Sequence, residues 1–282
     1  MERFVDLHIH TTASDGTLSP GQAVAMARDL GLAAVAVTDH DTVAGIPEAL
    51  AAGERLGQQV IPGVELSADY LGRDVHILGL FTDPDGAGLA EALAWSRGQR
   101  QVRNEKIVAA MAADGLPISI QTLQAADPGA VLGRPHIAGW LVRNGLAADV
   151  DDAFRRYLNR GCPYYLPRER LRLDRAVGAI RSAGGVAVVA HPLQYGYDQP
   201  GLERFIRQAK DAGCRAMEVW YSGYGPAQRG RLLALADRYG LVPSGGSDFH
   251  GDRKPAISMG SGPDGTLHIP YGVLDGLRRV CG

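Results

Sequence analysis

The chain has 282 residues, 45% of them apolar and 21% charged, with a formal net charge of −2. This is the balance of one large globular α/β domain, or of one domain carrying a sizeable insertion, without repeats or low-complexity tracts. No apolar run approaches the roughly 18–20 residues of a membrane span, and three widely spaced cysteines (Cys162, Cys214, Cys281) argue against a disulfide framework or a thiolate zinc site.

Met1 leads almost directly into a strand-like run, with no charged-then-apolar leader before it. A cytoplasmic protein with no membrane contact and no obligate protein partner is expected. In chain order the pattern reads as a strand at 4–9, a helix at 20–30, a strand at 33–38, a helix at 45–56, and strands at 59–66 and 75–81. The second half runs from a helix at 173–183 through a strand at 186–190, a helix at 200–212, a strand at 217–221 and a helix at 225–239 to a strand at 241–244. Gly31, Gly57, Gly184, Gly213 and Gly240 stand at the expected helix stops. Alternating apolar strands and helices predict a parallel sheet, and seven strands favour a barrel over an open sheet.

The alternation breaks between the fourth and fifth strands, where helices are predicted at 100–113, 135–143 and 150–158. Residues 97–172 hold 12 Lys/Arg against 7 Asp/Glu, whereas the rest holds 17 against 24. A basic helical insert on an acidic barrel predicts a cap over an anionic substrate. The expected division is a discontinuous barrel, 1–95 and 170–282, with an inserted cap at 96–169.

Ligand-type residues sit at or near successive strand ends. His8 and His10 close the first strand, with Asp15 in the loop beyond, and His40 follows the second. Glu65 ends the third, His76 lies in the fourth, His191 follows the fifth, and Asp248 and His250 follow the last. Strand ends of a parallel barrel converge on one face. Six histidines and three carboxylates share a dry site only if cations compensate them. Such donors suit Mn²⁺, Fe²⁺ or Zn²⁺. Nine ligands exceed one coordination sphere, so two or three ions per chain are expected. His136 and His268 fall outside this pattern.

The segment Asp6-Leu7-His8-Ile9-His10-Thr11-Thr12-Ala13-Ser14-Asp15-Gly16, together with Thr38-Asp39-His40-Asp41, Pro62-Gly63-Val64-Glu65 and Gly246-Ser247-Asp248-Phe249-His250, resembles the polymerase and histidinol phosphatase (PHP) family. The resemblance implies a distorted seven-stranded β/α barrel. It implies one metal held by His8, His10, Glu65 and Asp248, a second sharing Glu65 and adding His76 and His191, and a third using Asp15, His40 and His250. Some histidinol phosphatases of the family carry His where this chain has Asp15. The Asp makes the third site harder and more oxygen-rich, which favours Mn²⁺ over Zn²⁺ there, or weaker occupancy. Leu132-Gly133-Arg134-Pro135-His136-Ile137-Ala138 resembles the short nucleotide-acting branch of the family.

That branch implies removal of the 3′-phosphate from nucleoside 3′,5′-bisphosphates, by attack of a metal-bridging hydroxide. Degradation of short RNA from its 5′ end is the alternative, and the two can coexist. Histidinol phosphate is disfavoured, because its ammonium group would meet a basic insert. Arg134 and His136 are the expected substrate contacts, with Arg160, Tyr221 and Ser222 as further ones. Arg100, Arg103, Lys106 and Arg156 are additional candidates for a second phosphate, and His268 is a candidate acid for the leaving oxygen.

Overall fold

The computed structural model describes residues 3–281; the leader expectation at Met1 lies outside them. The elements follow the order β1 (Phe4–Ile9), α1 (Pro20–Asp29), β2 (Ala34–Val37), α2 (Ile46–Leu56), β3 (Gln59–Tyr70), β4 (Arg73–Leu80), α3 (Ala87–Ala113), α4 (Ile120–Ala126), α5 (Arg134–Arg143) and α6 (Val150–Ala153). They continue with β5 (Leu171–Arg172), α7 (Leu173–Ser182), β6 (Val186–Val189), α8 (Gln199–Ala212), β7 (Ala216–Tyr221), α9 (Pro226–Tyr239), β8 (Val242–Gly246), β9 (Ile269–Pro270) and α10 (Tyr271–Arg278). Among the described residues no helix is long and apolar enough to cross a membrane.

Seven long strands form one sheet in the order β8-β7-β6-β4-β3-β2-β1, with the two-residue strands β9 beside β1 and β5 beside β3. The sheet curls until its ends meet. The Asp248 amide donates to the His8 carbonyl, and the His10 amide donates to the Phe249 carbonyl, both at 2.9 Å. Side chains from seven strands share one apolar core, including Val5, Ala34, Ile61, Leu78, Val188, Ala216 and Ile269, and α10 adds Leu274 and Leu277. Such a shared core is the packed interior of a barrel. Helices α1 and α2 cover β1 and β2, and α7, α8 and α9 cover the other side.

The sheet is not wholly parallel, contrary to the expectation from alternation. Strand β4 runs antiparallel to both β3 and β6. Only Leu71 and Gly72 separate β3 from β4, far too few for the crossover a parallel pair needs. The start of β4 therefore lies at the same mouth of the barrel as the ends of β1 and β2, which brings His76 to that mouth.

Helix α3 is longer than predicted, at 27 residues, and the expected division at 95/96 falls inside it. Its first three turns pack Leu89 and Leu93 against the barrel helices, and its last turns place Ile107 and Met111 in a separate core with Leu123, Ile137, Leu141 and Leu158. The helix predicted at 150–158 is α6 followed by a wider π-type turn at Phe154–Leu158.

Closure of the barrel leaves no room at Gly246. A Cβ there would overlap the Cβ of His8 and stand 2.5 Å from its amide nitrogen. Backbone cannot yield as a flexible side chain can, so Gly246→Ala should cost roughly 1–3 kcal/mol, read as a lower urea midpoint with an unchanged slope.

Candidate metal centre

At the barrel mouth, polar residues lie in or just past the apolar strands. On β1, Asp6 and His8 alternate with apolar Val5 and Leu7, and His10 follows one residue past the strand end. His40 lies just past β2 and forms a bridge to Glu65 of β3. His191 and Asp248 follow β6 and β8 with φ of +26° and +58°. Non-glycine residues rarely occupy this left-handed region, and such conformations persist where function holds them.

All nine expected ligands come together. His8 Nε2 and His10 Nε2 are 3.2 Å apart. Each of them lies 3.2–3.5 Å from Glu65 Oε2 and from Asp248 Oδ1. Donors about 2.1 Å from one ion stand roughly 3.0–3.4 Å from each other, so this set has the spacing of a single coordination sphere. Glu65 Oε1 lies 3.0 Å from both His76 Nδ1 and His191 Nε2. Asp15 faces His250 Nε2 at 3.4 Å, His10 Nδ1 at 3.7 Å and His40 Nε2 at 3.9 Å. His10, Asp15, His40 and His250 can offer atoms within 4.8 Å of one another. The His10 ring thus presents one nitrogen to the first group and the other to the third, a shared role that the resemblance does not imply.

The donors fit divalent cations. His10 Nδ1, His40 Nδ1 and Glu65 Oε2 are buried and make no hydrogen bond, although His40 Nδ1 and Glu65 Oε2 are only 3.0 Å apart. Buried polar atoms this close and unpaired call for a third partner between them. Burial alone would push His10 down, but the carboxylates of Asp248 and Glu65, each 3.2 Å from its Nε2, lift it to about 9. Burial would raise Glu65, but His40, His76 and His8 hold it well below the usual carboxylate range.

Surrounding groups aim the ligands, and the sequence reading missed several of them. Buried Glu218 on β7 takes His8 Nδ1 on one oxygen at 3.0 Å and the His191 amide on the other at 2.6 Å. With Nδ1–H donated to Glu218, His8 presents an unprotonated Nε2 to the centre. A lone acid inside the apolar run Ala216–Tyr221 was the available signal. Tyr221 donates to Asp248 Oδ2 at 2.7 Å, and Lys254 reaches the same oxygen at 2.7 Å. Asp39 accepts from Thr11 N, Thr11 Oγ1 and Ser14 Oγ, which fixes the loop bearing Asp15.

Several expected contacts sit elsewhere than the sequence suggested. His136 is fully buried, its Nδ1 accepting from the Gly133 amide and its Nε2 donating to the Ser14 carbonyl. With both nitrogens engaged, it positions the loop before Asp15 instead of touching substrate. Ser222 donates to the Ser247 carbonyl, bracing the end of β8, and Tyr221 acts through Asp248. His268 is exposed and packs its ring on Phe4 at the start of β1, the end of the barrel opposite the ligands, so it cannot protonate a leaving group there. Arg160 lines a hollow at the rim with Arg73, Asp74 and Gln194. Arg156 pairs with Asp152 on the surface, and Lys106 is exposed on α3.

Arg134 does face the centre. A cleft of about 140 Å³ places Arg100, Arg103, Arg134 and Arg168 opposite Asp15, His40 and His76. Arg100 and Arg168 are tied to Asp41 at 2.6 and 3.5 Å, an acid that burial would raise but these cations hold down at about 2. Arg103 and Arg134 have no carboxylate partner among the described residues. Burial, with Arg100, Arg134 and Arg168 nearby, pushes Arg103 down to about 8. A guanidinium does not give up its proton inside a protein, so this stress is relieved by an anion.

A β/α barrel with three linked His/carboxylate groups at one mouth defines a metal-dependent hydrolase, and the arginine cleft beside them suits phosphoesters. The PHP domain signature matches residues 6–122. The chain is 37% identical to the "5'-3' exoribonuclease Rnm" of Salmonella typhimurium, over 95% of this chain and 90% of that protein. It is 35% identical to the "3',5'-nucleoside bisphosphate phosphatase" of Chromobacterium violaceum, over 92% of each. A crystal structure from Bifidobacterium adolescentis, assigned as a metal-dependent phosphoesterase, superposes with a TM-score of 0.86 at 33% identity, covering 98% of this chain and 95% of that one. This chain belongs to the PHP family.

Two outcomes test the centre. Glu218→Gln replaces an acceptor of two N–H groups by an amide that can accept only on one side. It should weaken divalent-metal affinity about 10- to 100-fold while leaving the circular dichroism unchanged, as titration calorimetry would measure. Because His10 holds its proton up to about 9 in the metal-free protein, metal binding must expel it. Affinity should therefore fall as pH drops below that value, and calorimetry in buffers of different ionisation enthalpy should register proton release.

Proposed function

We propose that this protein removes the 3′-phosphate from nucleoside 3′,5′-bisphosphates, and that 5′-phosphorylated RNA enters the same site from its 5′ end. One observation carries the reading: two separate anion-holding devices face each other across one cleft. The His/carboxylate cup suits the scissile phosphate, while Arg103 and Arg134, unpaired with acids, suit a second phosphate on the same molecule. A substrate with one phosphate and an ammonium, such as histidinol phosphate, leaves the arginines uncompensated. The names of the Salmonella and Chromobacterium relatives fit both activities.

His8, His10, Glu65 and Asp248 would hold one ion, Glu65, His76 and His191 a second, and Asp15, His40, His250 and the far nitrogen of His10 a third. Mn²⁺ is the favoured ion, since Asp15 adds a hard carboxylate oxygen to a third group otherwise made of imidazoles. Bound divalent ions supply an activated water and neutralise the non-bridging phosphate oxygens. The chain does the positioning. Tyr221 and Lys254 fix Asp248, Glu218 fixes His8 and the His191 backbone, and Asp39 with His136 fixes the Asp15 loop. Helices of the insert carry Arg100, Arg103 and Arg134 over the cup, and we assign residues 96–169 the role of a substrate-holding cap.

Water adds to phosphorus and the bond from phosphorus to O3′ breaks, with the proton ending on O3′. On a bisphosphate the products are a nucleoside 5′-monophosphate and phosphate. On RNA the same bond cleavage leaves the phosphate on the next nucleotide. That recreates the 5′-phosphorylated end that Arg103 and Arg134 hold, so one site can repeat the step along a strand.

The test is a substrate panel with Mn²⁺-loaded protein: a nucleoside 3′,5′-bisphosphate, a 5′-phosphorylated oligoribonucleotide, histidinol phosphate and an aryl phosphate. The bisphosphate should have the highest kcat/KM, and fastest turnover of histidinol phosphate would overturn the assignment. Arg134→Ala should cost roughly 10- to 100-fold in kcat/KM on the bisphosphate and far less on the aryl phosphate. Equal losses on both would move Arg134 to the scissile phosphate or to the scaffold.

A further inference from the structure

Beyond the cleft that holds the centre, we infer that the tip of the β3–β4 hairpin and the start of α8 form a track for the downstream nucleotides of single-stranded RNA. The inference rests on the polynucleotide half of the proposed function, and it starts from two adjoining hollows. The first, about 620 Å³, shares Asp74 with the catalytic cleft and is also lined by Arg73 and Arg160. The second, about 400 Å³, shares Leu71 and Arg73 with the first and continues to Tyr197 and Arg204. Together they lead away from the His76 side of the cup along the surface. Each lies in the size range of pockets that take a small ligand, roughly 300–1,000 Å³.

The charges along this path are arranged for a polyanion. Its two acids are already committed: Asp74 pairs with Arg170 at 2.7 Å, and Asp198 caps α8 by accepting from the Gly201 amide. Its three arginines, Arg73, Arg160 and Arg204, have no carboxylate partner among the described residues. Arg73 is also held rigid. It donates to the Tyr195 carbonyl at 2.6 Å, and its guanidinium lies over the Tyr197 ring at 4.7 Å. A fixed cation on an aromatic face beside a basic groove is how sequence-tolerant single-strand binding is built.

Leu71 gives independent support. It is 82% exposed and sits at φ +54°, followed by Gly72 at +77°. A two-residue hairpin turn of this kind favours Asn-Gly, and a leucine there costs stability without burying its side chain. Its position between the two hollows offers an apolar face to a nucleobase.

The experiment uses the metal-loaded full chain, with Arg204→Ala and Leu71→Asn as variants. Binding of a 5′-phosphorylated phosphorothioate oligoribonucleotide is read by fluorescence anisotropy across a salt series, and turnover of a nucleoside 3′,5′-bisphosphate is assayed in parallel. Both variants should bind the oligonucleotide about fivefold or more weakly. Arg204→Ala should also reduce the salt slope by about 0.7. Bisphosphate turnover should stay within about twofold of the native protein, and Leu71→Asn should raise Tm, since asparagine suits the turn. Unchanged oligonucleotide binding in both variants would overturn the track. Equal losses on both substrates would instead place the first nucleoside in these hollows and overturn it as well. A native protein that ignores the bisphosphate would defeat the proposed function, while the anisotropy would still decide the track.

Discussion

The structure turns on one carboxylate. Glu65 is fully buried, and its two oxygens stand within 3.5 Å of nitrogens from five histidines: His8, His10, His40, His76 and His191. These histidines come from four strand ends that have no other reason to share a dry space. One negative charge cannot satisfy five imidazoles, three of which are already lifted by neighbouring acids, without further charges to divide the donors among themselves. The barrel therefore folds around a deficit that cations fill, and its closure at His8 and Gly246 holds the donors in place against their mutual crowding.

Around that deficit, a second layer converts placement into direction. Asp6 does no ligating, yet it ties Ser247 and Gly260 to β1, and its burial raises it above an ordinary aspartate despite four hydrogen bonds. Asp39, Asp41 and Glu218 repeat the device at other strand ends. Each takes two or more donors, so one acid ties together separate parts of the mouth. The cost is a mouth dense with buried acids, offset locally by Arg100, Arg168 and Lys254.

Much of this was legible in the sequence because ligand-type residues sat at the ends of apolar runs. His8 and Glu65 lie within β1 and β3, and His40, His191 and Asp248 lie just past β2, β6 and β8, so local periodicity and barrel topology together suffice to bring them to one mouth. The antiparallel course of β4 was also readable in principle, from the short link across Leu71-Gly72. What stayed hidden depends on tertiary direction. Nothing local distinguishes His136, whose two nitrogens are satisfied by Gly133 and Ser14, from a histidine that reaches into a cleft. Arg160 and Arg134 look alike in the sequence, yet only Arg134, at the start of α5, points at the centre. The expected boundary at 95/96 falls inside α3, which runs unbroken through Gly98 and joins the two apolar cores.

The hydrogen bond from His136 to the Ser14 carbonyl has a thermodynamic corollary. It links the helix start that carries Arg134 to the residue before Asp15, and Val131 reinforces the link by donating to Ala13. Whatever seats the insert more firmly also narrows the excursions of Asp15, and whatever fixes Asp15 steadies the insert. An ion held by Asp15 and an anion held by Arg134 would thus act on one mechanical unit, and any change that one makes in the affinity of the other would be returned by the same factor.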